Sequence, residues 1–275
     1  MVAKIAALLT LLLLLAGCGT PATMYRIALL GPFEGRYREV GYDAYYAARL
    51  ALHDDSGTET ELLALDDGGS PQSARDRAAA LALDPRVRVV LLTGYAAAAA
   101  ETQAALESLP AIIIGQWGSQ PAGESRYMLA SADLPPESRE ITGVARLNGN
   151  IVGGDVFGLK QFVRLGGDTA HTTLITNAVL PSASLRNALL GSSLYVPEPG
   201  LLSALSYDAT RIAAAAARTA NPSAALRDTH YDGLNGTIRF EAGYWAGAPL
   251  HTYRYDATCL QTTEQLCLIE AAPPA

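Results

Sequence analysis

Apolar residues come in two rhythms along this chain. Ile27 to Leu30 is a short continuous run, broken by Gly31-Pro32, and an irregular stretch with Phe33, Arg36 and Tyr37 follows. Past Gly41, Ala44, Ala47, Ala48, Ala51 and Leu52 recur at three- and four-residue steps, the spacing of one helix face. The pattern predicts a strand, a broad loop and a helix. Glu61 to Leu65 reads as a second strand. Ser70 as N-cap and Pro71 as first helical residue predict a helix to about Leu83, stopped by Asp84-Pro85. Val87 to Leu92 is continuously apolar apart from Arg88, as in a strand buried on both faces. Ala96 to Leu109 has the composition of a helix, and Ala111 to Ile114 is another buried strand before the loop Gly115 to Pro121. Such alternation builds a parallel, doubly wound α/β sheet. Ligands bind such sheets at loops beyond the carboxyl ends of strands. The loops after Leu30, Leu92 and Ile114 are therefore the candidate site.

The second half is less regular. Leu134-Pro135-Pro136 reads as a linker and Glu137 to Leu147 as a helix. Ile151 to Gly153 reads as a short strand turning at Gly154-Asp155, with a helix from Phe157 to Leu165. Thr172 to Thr176 is a further strand and Ser182 to Leu190 a helix. Tyr195 to Gly200 is loop, and Ala204 to Arg218 is a long helix ended by Asn221-Pro222. Strand-like runs at Thr237 to Phe240, His251 to Tyr255 and Leu266 to Ile269 close the chain, with Ala271 to Ala275 as a disordered tail.

The amino terminus changes the setting. Lys4, the apolar core Ile5 to Leu15 and small residues before Cys18 have the order of a secretory signal, and the core is too short to span a bilayer. Leu15-Ala16-Gly17-Cys18 resembles the lipobox of bacterial lipoproteins, which implies cleavage before Cys18, acylation of its sulfur and an extracytoplasmic, membrane-anchored protein. Residues 18 to 24 would be the leash. Losing residues 1 to 17 leaves 258 and moves the formal net charge from −7 to −8. No basic face is evident, so nucleic acid is not an expected partner. Cys259 and Cys267 are the only other cysteines. In an exported protein they are expected to pair, with a hairpin turn between them, and no histidine accompanies them to suggest a metal.

Four stretches together resemble the type I periplasmic solute-binding proteins, in the leucine/isoleucine/valine-binding branch: IALLGPFEGRY, VRVVLLTG with LPAIIIGQWGSQP, SALSYDATRIAAAAAR, and DGLNGTIRFEA. They span most of residues 25 to 256 in the family's order. The resemblance implies a first lobe complete to about Ala130 and binding of an amino acid or similar small polar ligand for an ABC-type permease. A second lobe needs on the order of 100 residues, but between Asp133 and Asn148 there is room for one linker and one helix. The resemblance therefore implies a strongly reduced second lobe over residues 25 to 270, with a C-terminal β-hairpin region. It places Tyr37 over the ligand, Trp117 at a position that uses its backbone, and Ser119 where a hydroxyl grips an amino acid. The hydroxyl usual at the start of the preceding helix is replaced by Tyr95-Ala96-Ala97, with Thr93 slightly early.

Each of these residues has a plainer reading. Tyr37 can be a surface tyrosine, Trp117 a cover on the core edge, Asp155 a ligand-ammonium contact or a turn stabiliser, and Asp66-Asp67 a solvated loop. Tyr207 is read as packed. No Gly-x-Ser-x-Gly elbow and no phosphate-binding P-loop occurs, and His53, His171, His230 and His251 lack ligand spacing. Neither catalysis nor a cofactor is expected. The alternative to transport is a one-lobed sensor or interaction module that binds a second protein or dimerises.

Overall fold

The computed structural model describes residues 24–55, 59–134, 145–147, 150–165, 168–263 and 265–272. The signal, Cys18, most of the linker and of the 137–147 helix, and the last three tail residues lie outside the described residues.

The first half forms β1 (Tyr25–Gly31), α1 (Arg38–His53), β2 (Thr60–Asp66), α2 (Pro71–Ala82), β3 (Val87–Leu92), α3 (Tyr95–Ala98), α4 (Ala100–Ala105), β4 (Ala111–Ile114) and β5 (Arg126–Leu129). The second half adds β6 (Ala145–Leu147), β7 (Asn150–Gly153), a 3-10 turn over Asp155–Gly158, α5 (Lys160–Arg164), β8 (Thr172–Thr176), α6 (Ala183–Ser192), α7 (Leu201–Ala217) and α8 (Pro222–Arg227). Two hairpins follow, β9 (Tyr231–Gly233) with β10 (Gly236–Ile238) and β11 (Phe240–Glu241) with β12 (Tyr244–Trp245). Then come β13 (His251–Tyr255), α9 (Ala257–Thr262) and β14 (Leu268–Glu270).

Two sheets result. The larger has the order β11-β12-β5-β4-β3-β1-β2, and its strands are parallel except for the β11–β12 pair. Ile27 to Leu30, Val89 to Leu92 and Ile112 to Ile114 have no exposed surface. Their continuous apolar runs are covered on both faces, as parallel strands require. Helix α1 turns Val40, Ala44, Ala47, Ala48 and Ala51 inward, and α7 presents Ala209, Ala213 and Ala217. Alanines on both helices let the backbones approach closely against β1, β3 and β4.

The smaller sheet has the order β14-β13-β8-β7-β6. Strands β7 and β8 are parallel and the other pairs antiparallel. This is the strongly reduced second lobe. It is assembled from two separated segments, 145–176 and 251–270.

Several elements differ from the sequence pattern. The expected helix from Ala96 to Leu109 breaks at Ala99, whose backbone is extended (φ −58°, ψ 149°). The buried side chains of Thr102 and Gln103 reach back to accept this break, donating to the carbonyls of Ala96 and Ala98 at 2.8 Å each. Residues 145–147, expected to end a helix, form strand β6. The expected helix from Phe157 to Leu165 is a 3-10 turn followed by the shorter α5. Asn221-Pro222 ends α7 but also opens α8, with the Asn221 side chain accepting from Ala224 N–H. Cys259 and Cys267 form a disulfide in the connection between the antiparallel strands β13 and β14, where helix α9 makes up the first part instead of a tight turn.

Asp43, inside α1, is buried and accepts from Gly200 N–H at 2.9 Å and from the Ser203 hydroxyl. It thereby caps the start of α7. Its other oxygen has no hydrogen-bond partner among the described residues, and burial holds its carboxyl up at about 6. The folded protein therefore keeps a proton on Asp43 between about pH 4, where the unfolded residue ionises, and pH 6. Ionised Asp43 costs stability above that window, and the cost fades as pH falls through it. Asp43→Asn is expected to be more stable than the parent at pH 7.5, by up to about 2 kcal/mol, with the gap about halved at pH 5 and closing near pH 4. Urea unfolding at these pH values measures this, and a gap that does not change with pH contradicts it.

Candidate ligand site between the two sheets

In the larger sheet the chain runs from β1 to β2 on one side and returns to β3 on the other, so the strand order reverses between β1 and β3. The connecting loops diverge there and leave a crevice. A cavity of about 440 Å³, counting the part open to solvent, occupies it. Pro32, Tyr37 and Val40 line it from the β1 side, Asp67 and Gly69 from β2, Gly94, Tyr95 and Ala96 from β3, and Trp117 from β4. Val156, in the turn after β7, lines it from the smaller sheet. The cavity therefore has walls from both sheets.

Three candidate residues from the sequence meet here. Tyr37 and Tyr95 stand half-exposed at the mouth, 47% and 57% accessible. Trp117 is buried, its indole N–H fixed to the Ile114 carbonyl at 2.6 Å. The others are placed differently. Thr93 has no exposed surface and its methyl packs toward Gly31, beneath the cavity. Ser119 lines a separate, smaller space on another side of Trp117. Asp155 is buried and does not line the cavity. Tyr207 donates its hydroxyl to Asp54 at 3.0 Å and takes no part.

Asp155 serves as a tie between the sheets. One carboxylate oxygen accepts from Gln116 N–H, just past β4, at 3.1 Å, and the other accepts from the Thr176 hydroxyl at the end of β8. Burial raises its carboxyl pKa above the ordinary value, while these two donors oppose the rise. A Cβ on Gly115 would fall 2.9 Å from its Oδ2, and Gly115 has φ +79°, so only glycine fits this approach. Asn177 makes a second tie. Its Oδ1 accepts from Ser131 N–H at 2.8 Å and its amide donates to the Pro249 carbonyl at 2.7 Å. Ser131, Asn177 and Pro249 lie on the three stretches that cross between the sheets, so one buried side chain joins all three.

The Asp66-Asp67 pair is not the solvated loop the sequence suggested. Asp66 accepts from Phe33 and Glu34 N–H at 2.8 and 3.1 Å and from Gly68 N–H at 2.8 Å, which shapes the loop carrying Tyr37. Asp67 is buried, accepts from Gly69 N–H at 2.8 Å, and has its pKa raised by burial. It has no ion-pair partner among the described residues. Its Oδ2 lies beside Gly94, whose φ of +91° and closeness to the Pro32 ring exclude any side chain. Asp-Asp-Gly-Gly was the available signal, since carboxylates beside glycines accept nearby backbone N–H groups. Among the described residues no His/Cys/Asp/Glu group could hold a metal, and no helix is long and apolar enough to cross a membrane.

No family model matches the sequence, and no curated protein matches it. Solved structures do match. The leucine-binding protein LivK of Thermotoga maritima superposes with a TM-score of 0.67 at 13% identity, over 90% of this chain and 98% of that one. The branched-chain amino acid transporter substrate-binding protein LivJ of Streptococcus pneumoniae, in complex with isoleucine, gives 0.63 at 14%, over 90% and 100%. An ABC transporter solute-binding protein of R. palustris, in complex with benzoate, gives 0.68 at 10%, over 90% and 95%. The chain has the type I periplasmic-binding-protein fold.

Replacing Asp155 by alanine strands Gln116 N–H and the Thr176 hydroxyl in the interior. A loss of about 2–4 kcal/mol is expected in urea unfolding. A loss below about 0.5 kcal/mol would mean that the tie does not hold the sheets together.

Proposed function

We propose that this chain is a membrane-tethered extracytoplasmic solute-binding lipoprotein that captures amino acids or similar small polar ligands for an ABC-type uptake system. The observation that carries the reading is the convergence of loops from four parallel strands, with Val156 of the second sheet, on one aromatic cavity at the strand-order reversal. Small-molecule sites favour this position and this kind of lining. The structural neighbours, whose names describe solute binding, support the same reading.

The ligand's polar head would meet the backbone of the loops at Gly69 and Gly94 to Ala96, and its side chain would lie between Tyr37, Tyr95 and Trp117. Asp67 lines the same cavity as Tyr37, Tyr95 and Trp117 and has no ion-pair partner among the described residues, which favours a ligand bearing an ammonium group. The second sheet contributes little area, so affinity rests mainly on the first.

The described surface also favours a second reading. Leu194 and Tyr195, on the loop between α6 and α7, are 99% and 84% exposed. They border a groove that includes Phe33, Tyr42 and Tyr46, and this could serve a protein partner or a second copy.

Calorimetry of the chain from residue 19 against amino acids, amides and short peptides is the deciding measurement. Binding in the micromolar to millimolar range is expected, weakened at least tenfold in Tyr95→Ala and Tyr37→Ala. No binding at millimolar ligand, with a stable dimer by sedimentation, would replace solute capture with the interaction reading. Anchoring is tested separately. Full-length protein expressed in bacteria should partition into detergent and incorporate labelled palmitate, Cys18→Ser should do neither, and equal behaviour of the two rejects the lipid anchor.

A further inference from the structure

The direction of the strands decides which edge of the larger sheet lies nearest the leash. Strand β1 begins at Tyr25, and the register Tyr25↔Thr60, Arg26↔Val87, Val90↔Ala111 and Ala111↔Arg126 sets the amino-terminal ends of β1 to β5 along one edge. Tyr25 N–H donates to the Glu59 carbonyl at 2.8 Å and Arg26 N–H to the Arg86 carbonyl at 2.7 Å. The chain therefore enters this edge beside the turn that follows α2. Two large apolar side chains stand out there. Met24 is 46% exposed, and Leu83, in that turn, is 84% exposed. The arginines beside them are paired, Arg26 with Glu61 and Asp84 at 2.8 Å each and Arg86 with Asp84 at 3.6 Å. The edge has apolar tips and no strongly basic patch among the described residues.

We propose that this edge is a membrane-contact surface: Met24 and Leu83 enter the headgroup layer of the bilayer that holds the Cys18 lipid, and the cavity is carried on the far side. This rests on the lipid-anchor part of the reading above and is independent of solute uptake. Six peptide steps separate Cys18 from Met24, a reach of about 20 Å when taut. Strand β1 is seven residues long and alone spans about 23 Å. The cavity lies beyond its carboxyl end. The leash is therefore too short to invert the domain and set the cavity face-down on the membrane. It permits an upright domain or one lying on a helical face. The outer face of α2 carries exposed Gln72, Arg75 and Asp76, whereas the upright domain sets Met24 and Leu83 on the bilayer.

Two apolar side chains are too few to hold a free protein on a bilayer. On a tethered one the contact is intramolecular, and the high effective concentration makes a weak contact sufficient. With its arginines paired, the edge does not require anionic lipid. The smaller sheet then stands outermost, and solute reaches the cavity from the aqueous side.

The test uses the full-length lipidated protein in phosphatidylcholine vesicles and reads the quenching of an added Trp by lipids brominated near the headgroup. Leu83→Trp reports the proposed contact. Leu194→Trp is the control, at a 99% exposed position that borders the groove with Phe33, past the carboxyl end of β1. Trp favours a membrane interface wherever it can reach one, so the substitution itself does not bias the comparison. Trp117 and Trp245 are 2% and 1% exposed, and the parent supplies their background. Quenching of the added emission is expected to be at least threefold stronger in Leu83→Trp than in Leu194→Trp, and unchanged when anionic lipid is included. Equal quenching in the two variants, or stronger quenching in Leu194→Trp, overturns the proposal, as does contact that forms only on anionic vesicles. Labelled palmitate separates this proposal from the anchor reading. If the chain incorporates it and neither Trp is quenched, the anchor stands and the contact falls. If Cys18 is not acylated, both fall.

Discussion

The Asp155 carboxylate sits where the two sheets meet, and much of the site depends on it. It holds Gln116 N–H from the first sheet and the Thr176 hydroxyl from the second. A buried carboxylate is costly unless its oxygens are satisfied, and here the two donors come from different sheets. Its solvation is thus restored only when the sheets are docked. Asn177 acts at the neighbouring position with neutral chemistry, joining Ser131 and Pro249. Together they set the wall that brings Val156 toward Tyr37, Tyr95 and Trp117.

The same device recurs elsewhere. Asp43 caps the first turn of α7 from inside α1. Asp208 in α7 accepts from Leu234 and Asn235 N–H at 2.9 Å each and from the Asn235 amide at 2.7 Å, which pins the β9–β10 turn. Asn235 in turn accepts from Val179 N–H on a crossing stretch at 3.0 Å. Each carboxylate lets a helix hold backbone far away in sequence. Lysine contributes little to this interior: Lys160 is the one lysine outside the signal, and its buried ammonium donates to the Gln265 carbonyl. The conformation rests on acidic side chains accepting from the main chain, an arrangement that packing hydrophobicity does not supply.

That explains which parts of the molecule were legible in the sequence. The first sheet was readable because each of its central strands is a continuous apolar run and each helix a small-residue face, local signals that need no partner to be recognised. The loops holding Tyr37, Tyr95 and Trp117 followed from strand ends alone. Four strands of the smaller sheet were legible as short runs, at Ile151, Thr172, His251 and Leu266 onward, but their pairing into one sheet was not, because they come from two segments separated by α6 to α8 and two hairpins, and β6 was read as the end of a helix. Its β6–β7 pair carries no long apolar run. The break at Ala99 was invisible as well, since nothing at Ala99 itself signals it. Its cause is two polar side chains, Thr102 and Gln103, that find carbonyls only once the turn has folded. Asp155 and Asp66-Asp67 were misjudged for a related reason. Adjacent glycines make a turn the default reading, and the donors that bury these carboxylates, Thr176 and Phe33, are remote in sequence.

The ties bear on how a cleft of this kind can work. Domain closure needs crossing stretches that rotate while their contacts stay few. Here the three crossings share one side chain, and Trp245 N–H adds a bond to the Ala130 carbonyl at 3.1 Å. Opening the sheets about these crossings would strain Asn177 against Ser131 or Pro249, and opening at the cavity would break the Asp155 contacts, each loss costing about 1–3 kcal/mol. A ligand can shift an equilibrium only by its differential affinity for the two states. Among the described residues Val156 is the one side chain that the second sheet brings to the cavity, so that differential is small. If the cavity takes a solute as proposed, the economical arrangement is a preformed site with the sheets kept docked and the half-exposed Tyr37 and Tyr95 at its mouth. On the proposed solute-binding reading, pre-organisation would replace closure as the source of affinity, and recognition would fall to the first sheet's loops.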